Sequence, residues 1–239
     1  MNVRAHPTIR PYALALGVFP RSGAVDKLAF LGPVAASDVA TALFLDTLGA
    51  LSTFPVRHRV VFTDGSDAVT GTTKLPATWR EMPQRGETGG ARIASAIDDL
   101  MGLGAEAILL ISADSPVMPL GPLFDGLMWL LPKSRLLIGG ADGGGAFAIG
   151  AADAMPWLAA YDTHQSAFGI ASDQPMVPPT SVLLDEAKKR GVEVLELPTA
   201  YHVDDKASLK RLWADVQKGA FAPACRKIFE RPEIRAHAE

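Results

Sequence analysis

An aspartate closely follows the most apolar segment of the chain, and its side chain is suited to metal binding. Residues 107–111 read AILLI, and Asp114 comes just after them, in front of Ser115 and Pro116. A carboxylate is a hard oxygen ligand, and Mg²⁺ or Mn²⁺ takes one or two such groups together with phosphate oxygens. Asp and Ser are also good N-caps, so the spacing alone leaves a metal ligand and a helix cap as equal alternatives.

Two more acids, Asp204 and Asp205, lie between the last apolar segment and a helical pattern that begins near Ala207. Acids at a helix start interact favourably with the helix dipole, and this structural role is the more common one. One of the two could still face Asp114 across the edge of a sheet, because separation along the chain does not prevent contact. We take Asp204 as the candidate second metal ligand.

The loop that follows the first apolar segment has residues suited to a phosphate group. Within residues 20–27 it carries two cations, Arg21 and Lys27, and small residues that include Gly23. Small residues let the backbone approach a phosphate closely, and the cations would attract it. A plain solvent-exposed turn is the alternative interpretation of this loop.

Two other segments are candidates for binding an anion. Arg92 follows Gly89 and Gly90 at the predicted start of a helix, where free N–H groups and a guanidinium favour a phosphate. An ordinary surface arginine is an equal alternative for Arg92. The glycine-rich residues 139–145 supply flexible backbone for close approach to a ligand, although a simple turn explains such a cluster more often.

Histidine and cysteine give no second candidate site. The single Cys225 excludes an internal disulfide and a thiolate zinc cluster, and it has no activating neighbour in the sequence, so we expect it to be structural. We expect every histidine to lie on the solvated surface, since no two have the spacing of metal ligands on a helix. The five histidines are His6, His58, His164, His202 and His237. The catalytic residue remains unknown.

Composition limits the classes of protein to which the chain can belong. Of 239 residues, 48% are hydrophobic and 21% are charged, which is enough apolar material for a sizeable core. A net charge of −3 gives no reason to expect a nucleic-acid partner. We expect no membrane span, since no apolar run approaches the length needed. The absence of a signal peptide and the single cysteine lead us to expect a cytoplasmic protein.

Apolar runs and helical patterns alternate along the chain with short connections. The predicted strands are residues 12–19, 57–63, 78–82, 107–111, 135–139 and 192–197. The predicted helices are residues 34–51, 91–103, 119–131, 182–190 and 207–218. This alternation is typical of one α/β domain with a mostly parallel central sheet flanked by helices, in which 107–111 is an inner strand. Ligands of such sheets bind beyond the carboxyl ends of the strands, which would bring the candidate residues to one edge.

Four short segments share their order and spacing with a known family. Residues 111–116 read ISADSP, residues 142–150 read DGGGAFAIG, and residues 203–209 read VDDKASL. Upstream of these, Gln84, Gly90, Arg92 and Ile93 fit a pattern Gln…Leu-Gly-x-Arg-Met, with Gly89 in place of the leucine. Together the segments resemble the bacterial transferase family that is associated with radical-SAM and selenodomain proteins. That family belongs to the GT-A (nucleotide-diphospho-sugar transferase) fold superfamily.

The resemblance covers about residues 12–216 of a single domain over 1–239 and leaves a C-terminal helical tail. It implies a metal-dependent transferase that moves a glycosyl or nucleotidyl group from a nucleotide-sugar or nucleotide donor to an unknown acceptor. On the matching positions, Asp114 and Asp204 would bind Mg²⁺ or Mn²⁺. The nucleotide would contact residues from all three loops, namely Arg21, Gly23, Lys27, Gln84, Arg92, Asp142 and Gly144. The oligomeric state is not predicted.

The first loop departs most from the family pattern Pro-Gly-x-Val-Lys-Thr-Arg-Leu. Residues 23–28 read GAVDKL, so one cation is lost and Asp26 has been gained. A carboxylate near a triphosphate weakens its binding, which favours glycosyl transfer over nucleotidyl transfer. A non-catalytic relative of the same fold is the other hypothesis. We expect Arg21 and Lys27 to point toward the phosphate site and Asp26 to face away from it.

Overall fold

The computed structural model describes residues 13–20, 24–63, 73–131, 134–142, 145–161 and 179–239. Within these ranges seven strands form one sheet in the order β3-β2-β1-β4-β6-β5-β7. Their bounds are β1 (Leu14–Phe19), β2 (His58–Thr63), β3 (Arg80–Pro83), β4 (Ala107–Ser112), β5 (Arg135–Asp142), β6 (Ala146–Ala151) and β7 (Glu193–Tyr201). Neighbouring strands are parallel except where β6 pairs antiparallel with β4 and β5. The predicted α/β fold with a mostly parallel sheet is confirmed.

Helices cover both faces of this sheet. Those in the described ranges are α1 (Ala24–Lys27), α2 (Pro33–Leu51), α3 (Gly89–Gly102), α4 (Leu120–Trp129), α5 (Pro179–Lys189), α6 (Lys206–Gln217), α7 (Pro223–Ile228) and α8 (Pro232–Ala238). Short 3₁₀ segments lie at Ala29–Leu31 and Pro156–Tyr161. One apolar cluster joins the sheet to α2, α4, α6, α7 and α8, and a second joins its other face to α3 and α5.

Strand β4 lies between β1 and β6, and all six of its residues are buried, so its prediction as an inner strand is confirmed. Successive side chains point to opposite faces of a strand. Ile108 and Leu110 accordingly pack in the cluster with α3 and α5, whereas Leu109 and Ile111 pack in the cluster with α2. Burial of a Leu or Ile side chain stabilises the fold by about 1.5–3 kcal/mol, so β4 ties the two layers together.

The order of the strands creates a crevice next to β4. From β1 the chain moves outward to β2 and β3, and it then returns to place β4 on the opposite side of β1. The loops after β1 and β4 therefore leave in opposite directions, which opens a crevice at the carboxyl ends of the strands. Strands β2, β3, β5 and β7 end at this same edge, and β6 begins there. The candidate loops that the structure describes thus lie along one edge, as the sequence predicts.

Strand β7 continues to Tyr201, four residues beyond the predicted end at residue 197. The added residues begin with Pro198, and proline cannot donate a hydrogen bond within a sheet. Here β7 pairs only with β5 in the described sheet, and the register of the two strands shifts between Gly139 and Ala141. An edge strand with a bulge accommodates a proline. This extension carries the residues after Tyr201 over the edge of the sheet.

Helix α2 corrects the expectation that no apolar run approaches a membrane-spanning length. It has 19 residues with a mean hydropathy of 1.4, and it is the one helix within the described ranges that passes such a test. However, 67% of its apolar window is buried inside the structure, where it packs against the sheet and α7. This burial is typical of a core helix.

A buried acid in α2 holds the C-terminal helices. The Asp46 carboxylate accepts hydrogen bonds from the backbone N–H groups of Ala224 and Cys225, both at 2.8 Å, in the first turn of α7. Burial raises the pKa of Asp46 above its ordinary value, and these two N–H donors offset only part of that rise. The Cys225 thiol is buried as well, and burial raises its pKa, which fits the expected structural role. Asp46 therefore caps a helix that is distant in the sequence.

We predict that Asp46→Ala lowers the free energy of unfolding by about 2–4 kcal/mol, because one buried and one partly buried N–H group lose their acceptor. Asp38→Ala is the matched control, since Asp38 also lies on α2 and pairs with Arg231 of the C-terminal region, but at the surface. Exposed ion pairs contribute little to stability, so the free energy of unfolding of this variant should fall much less. Urea denaturation of both variants measures the difference, and equal losses would contradict the capping role.

Candidate functional site

Three elements hold the backbone around Asp114. The N–H of Ala113 donates to the Phe19 carbonyl at the end of β1, at 2.9 Å. The Thr47 hydroxyl of α2 donates to the Ala113 carbonyl at 3.0 Å. The N–H of Val203, just after β7, donates to the carbonyl of Asp114 itself at 2.9 Å. The turn after β4 is therefore fixed between β1, α2 and the loop after β7.

The Asp114 carboxylate lies inside a buried polar cluster. Its Oδ1 accepts a hydrogen bond from Ser112 Oγ at 2.5 Å and lies 2.8 Å from His202 Nδ1. Ser115 Oγ lies 3.0 Å from the same ring nitrogen. Asp114 is only 4% exposed. Helix α4 begins at Leu120, so Asp114 does not cap it.

His202 corrects the expectation that every histidine is solvated, since it is only 6% exposed. The physical reason is the extension of β7, which continues to Tyr201 and so places the next residue over the edge of the sheet. Sequence reasoning assigned no role to this residue. Its position directly before the family-like segment 203–209, and two residues before Asp204, was the one signal that could have identified it.

Asp204 lies beside a cation from the first loop. Lys27, at the end of α1, places its Nζ 3.4 Å from Asp204 Oδ2, and the two side chains are 26% and 32% exposed. Asp26, which precedes this lysine, is exposed. The structure thus joins the loop after β1 to the loop after β7. Arg21 and Gly23, the other predicted residues of this loop, lie outside the described residues.

Asp205 has the structural role that adjacent acids at a helix start most often have. Its Oδ1 accepts from the N–H of Ser208 at 2.7 Å, and Ser208 Oγ in turn accepts a hydrogen bond from the N–H of Asp205 at 3.0 Å. In this reciprocal pair both backbone N–H groups donate and both side-chain oxygens accept, which makes a capping box at the start of α6. The hydrogen bond from the Ser208 N–H holds the pKa of Asp205 below its ordinary value. Asp204 therefore remains the candidate ligand of the two.

Gln84 and Arg92 support the loop between β3 and α3. Gln84 Nε2 donates to the Phe62 carbonyl at 2.8 Å, and Arg92 Nε donates to the Gly86 carbonyl at 3.1 Å. Arg92 also lies 3.4 Å from Gln84 Oε1. A Cβ at Gly86 would come within 2.8 Å of the Ala91 backbone, so the loop packs tightly on the start of α3. Contact of Gln84 and Arg92 with a nucleotide remains a prediction.

Asp142 ends β5 at the same edge of the sheet and pairs with Arg211 of α6. The Arg211 guanidinium also lies 4.0 Å above the ring of Tyr201. The Tyr201 hydroxyl donates to Asp215 Oδ2 at 2.7 Å, and burial together with this acid raises the pKa of Tyr201. Gly144 lies outside the described residues. Asp142 therefore has an exposed cation as its neighbour at this edge of the sheet.

A metal site at this edge would have to be completed by water and substrate, and not by protein side chains alone. Among the described residues, no three His, Cys, Asp or Glu side chains form a group that could hold a metal ion. A closed site made by the protein alone is therefore absent from this part of the chain. Mg²⁺ commonly takes one or two carboxylates and completes its coordination with water and substrate phosphates. Asp114 and Asp204 lie on segments joined by the Val203 hydrogen bond, and their binding of a metal ion remains a prediction.

A family model matches the middle of the chain. Residues 47–165 match the family described as "Uncharacterized protein conserved in bacteria (DUF2064)". The match begins in α2 and includes β4 and Asp114. No curated protein matches the sequence. The predicted link to the family associated with radical-SAM and selenodomain proteins remains a prediction.

Solved structures share the fold over nearly their whole length. A protein from Desulfovibrio desulfuricans G20, described as a "putative nucleotide-diphospho-sugar transferase", superposes with a TM-score of 0.72 at 19% identity, covering 95% of this chain and 98% of its own. A 4-diphosphocytidyl-2C-methyl-D-erythritol synthase from Anaerococcus prevotii superposes with a TM-score of 0.55 at 12% identity, covering 89% of this chain and 100% of its own. A "Putative Glucose-1-Phosphate Thymidylyltransferase" from Bacillus anthracis superposes with a TM-score of 0.58 at 12% identity, covering 90% of this chain and 99% of its own. The chain therefore has the nucleotide-diphospho-sugar transferase fold.

We predict that Asp205→Ala lowers the free energy of unfolding at neutral pH by about 1 kcal/mol, through loss of the helix cap. The pKa of Asp205 in the folded state lies below the ordinary 3.8. The ionised carboxylate therefore stabilises the fold fully when the pH is above the ordinary pKa. This stabilisation is lost as the pH falls through the lowered pKa of the folded state.

Chemical denaturation at neutral and at strongly acidic pH tests this prediction, since the difference between wild type and variant should shrink in acid. Asp205→Asn is the control, because Asn caps helices as well as Asp does. A difference that stays constant with pH would contradict the role assigned to the ionised carboxylate.

Proposed function

We propose that this chain is a metal-dependent glycosyltransferase that uses a nucleotide-diphospho-sugar donor. The observation that carries the proposal is the meeting of two acid-bearing segments at the ligand-binding edge. The N–H of Val203 bonds to the carbonyl of Asp114, so Asp204 follows directly on a residue that contacts the turn after β4. Both segments lie at the edge where the strand order changes direction, which is where ligands bind in open α/β sheets.

Asp114 and Asp204 would hold Mg²⁺ or Mn²⁺, which when bound supplies positive charge to the diphosphate of the donor. Lys27 supports this assignment, because its ammonium already lies 3.4 Å from Asp204 Oδ2, where a positive charge is favourable. The same lysine belongs to the first loop, which we propose to contact the phosphates. A cation is thus available at the point where a diphosphate would meet the two acids.

The proposed reaction needs little covalent chemistry from the protein. An oxygen of the acceptor forms a bond to the anomeric carbon of the sugar, and the bond from that carbon to the diphosphate oxygen breaks. The nucleoside diphosphate leaves with the electron pair, and the acceptor oxygen loses its proton to a base that the described residues do not identify. The contributions of this chain are to position the donor and to stabilise charge on the leaving diphosphate. We also propose a cytoplasmic location, on the basis of the single cysteine.

Nucleotidyl transfer is the second candidate, because the two solved structures from Anaerococcus prevotii and Bacillus anthracis carry names of nucleotide-transferring enzymes. Such a reaction requires a nucleoside triphosphate, which carries more negative charge than a nucleotide sugar. Lys27 pairs with Asp204, and the neighbouring Asp26 adds a negative charge to the same helix. This balance of charge favours the less anionic donor, and we therefore prefer glycosyl transfer.

We predict that Asp114→Asn abolishes Mn²⁺-dependent binding of the donor, because the amide replaces an anionic oxygen with a neutral group. The measurement is a thermal-shift screen of UDP, GDP, CDP and ADP sugars, with and without Mn²⁺. A ligand present at about 100 times its Kd stabilises the native state by about 2.7 kcal/mol. Asp99→Asn is the control, since Asp99 pairs with Arg85 on the surface of α3.

A selective shift for one nucleotide sugar would support glycosyl transfer, and a shift for a nucleoside triphosphate alone would support nucleotidyl transfer. A nucleotide-sugar shift that needs no metal and persists in Asp114→Asn would contradict the metal site. Binding without turnover of any sugar would favour a non-catalytic relative. Circular dichroism confirms that each variant is folded before its shift is interpreted.

We predict that Lys27→Met weakens nucleotide-sugar binding and that the loss shrinks at high salt, because salt screens the attraction between the ammonium and the diphosphate. Lys218→Met, at the exposed end of α6, is the control. If Lys27 only neutralises Asp204, its removal would instead tighten Mn²⁺ binding and leave nucleotide-sugar affinity unchanged. Calorimetric titration with Mn²⁺ and with the selected nucleotide sugar separates the two outcomes.

A further inference from the structure

His202 makes a buried contact with the acid that we propose as a metal ligand. Its Nδ1 lies 2.8 Å from Asp114 Oδ1, and each side chain is about 5% exposed. Ser112 Oγ donates to that same oxygen at 2.5 Å. Two donors on one carboxylate oxygen fix the plane of the carboxylate, and they thereby fix the direction in which Oδ2 lies.

The tautomer of His202 follows from the chemistry of its partner. An ionised carboxylate only accepts hydrogen bonds, so the proton must be on Nδ1 for the contact with Asp114 to form. Ser115 Oγ, 3.0 Å from Nδ1, can then act as a second acceptor of the same N–H. A hydrogen bond to a charged acceptor is stronger than one between neutral groups, particularly away from solvent.

The backbone keeps His202 in register with Asp114. The N–H of Val203, the next residue, donates to the carbonyl of Asp114 at 2.9 Å. A short segment after β7 therefore contacts Asp114 through both its backbone and its histidine side chain, and it also carries Asp204. The partner of the first proposed ligand and the second proposed ligand belong to one segment, so they cannot move independently.

We infer that His202 is a positioning residue that orients the Asp114 carboxylate toward a divalent cation. This inference rests on the proposed function, and it adds a residue to which sequence reasoning assigned no role. Groups that hydrogen-bond to metal ligands commonly set metal affinity, and their loss weakens binding by about 10–100-fold. The other interpretation is that His202 only fills the interior, in which case its substitution changes stability but leaves metal affinity unchanged.

A matched pair of variants separates these interpretations. In His202→Asn the amide nitrogen can occupy nearly the position of Nδ1 and donate to Asp114. In His202→Gln the longer side chain moves the amide away from that position. Mn²⁺ binding is measured on the whole chain without nucleotide, from the electron paramagnetic resonance signal of the free ion. His58→Asn, at the opposite end of the sheet, is the control for a histidine substitution.

We expect His202→Asn to bind Mn²⁺ almost as tightly as the wild type, and His202→Gln to have a Kd that is about 10–100-fold higher. His202→Leu replaces His202→Gln if that variant does not fold. If wild type binds Mn²⁺ and Asp114→Asn does not, but His202→Gln binds like the wild type, the positioning role is wrong while the metal site stands. If wild type and Asp114→Asn do not differ, the metal site is wrong and the positioning role falls with it.

Discussion

The site depends on one backbone hydrogen bond, from the N–H of Val203 to the carbonyl of Asp114. In the sheet, β6 and β5 separate β4 from β7, so the segment after β7 must cross over those two strands to make this bond. The crossing brings Asp204 toward the crevice and buries His202. Lys27 then completes the connection from the other side of the crevice, through its ion pair with Asp204. This bond therefore links the two separate loops that carry the acids.

Burial gives the acids at this edge different roles. Asp114 is almost fully buried, and a buried carboxylate destabilises the fold unless hydrogen-bond donors surround it. Ser112 and His202 supply such donors, so the acid is held in one orientation. Asp204 is partly exposed and pairs with Lys27, and ion pairs with solvent access are weak. In the proposed function, the fixed Asp114 and the more exposed Asp204 would bind the cation together.

The rest of the fold supports the site through α2. Its consecutive residues Asp46 and Thr47 face in two directions, with Asp46 capping α7 and Thr47 bonding the carbonyl of Ala113. The helix that anchors the C-terminal region thus also anchors the turn that carries Asp114. Both residues are buried, so each hydrogen bond replaces one that water would otherwise make.

The sequence by itself determined the class of fold and the inner position of β4, and it pointed to Asp114 as a candidate site residue, because apolar periodicity and strand-end residues are local properties. The capping box of Asp205 is equally local, since both partners lie within one turn. Only the tertiary structure decided that His202 is buried, that Asp46 caps α7 and that Lys27 meets Asp204. Each of these contacts joins segments that are remote in the chain, and they depend on the order of the strands and on the extension of β7 past Pro198. Local patterns report which face of an element is buried, but the partners that meet there are set by how the elements assemble.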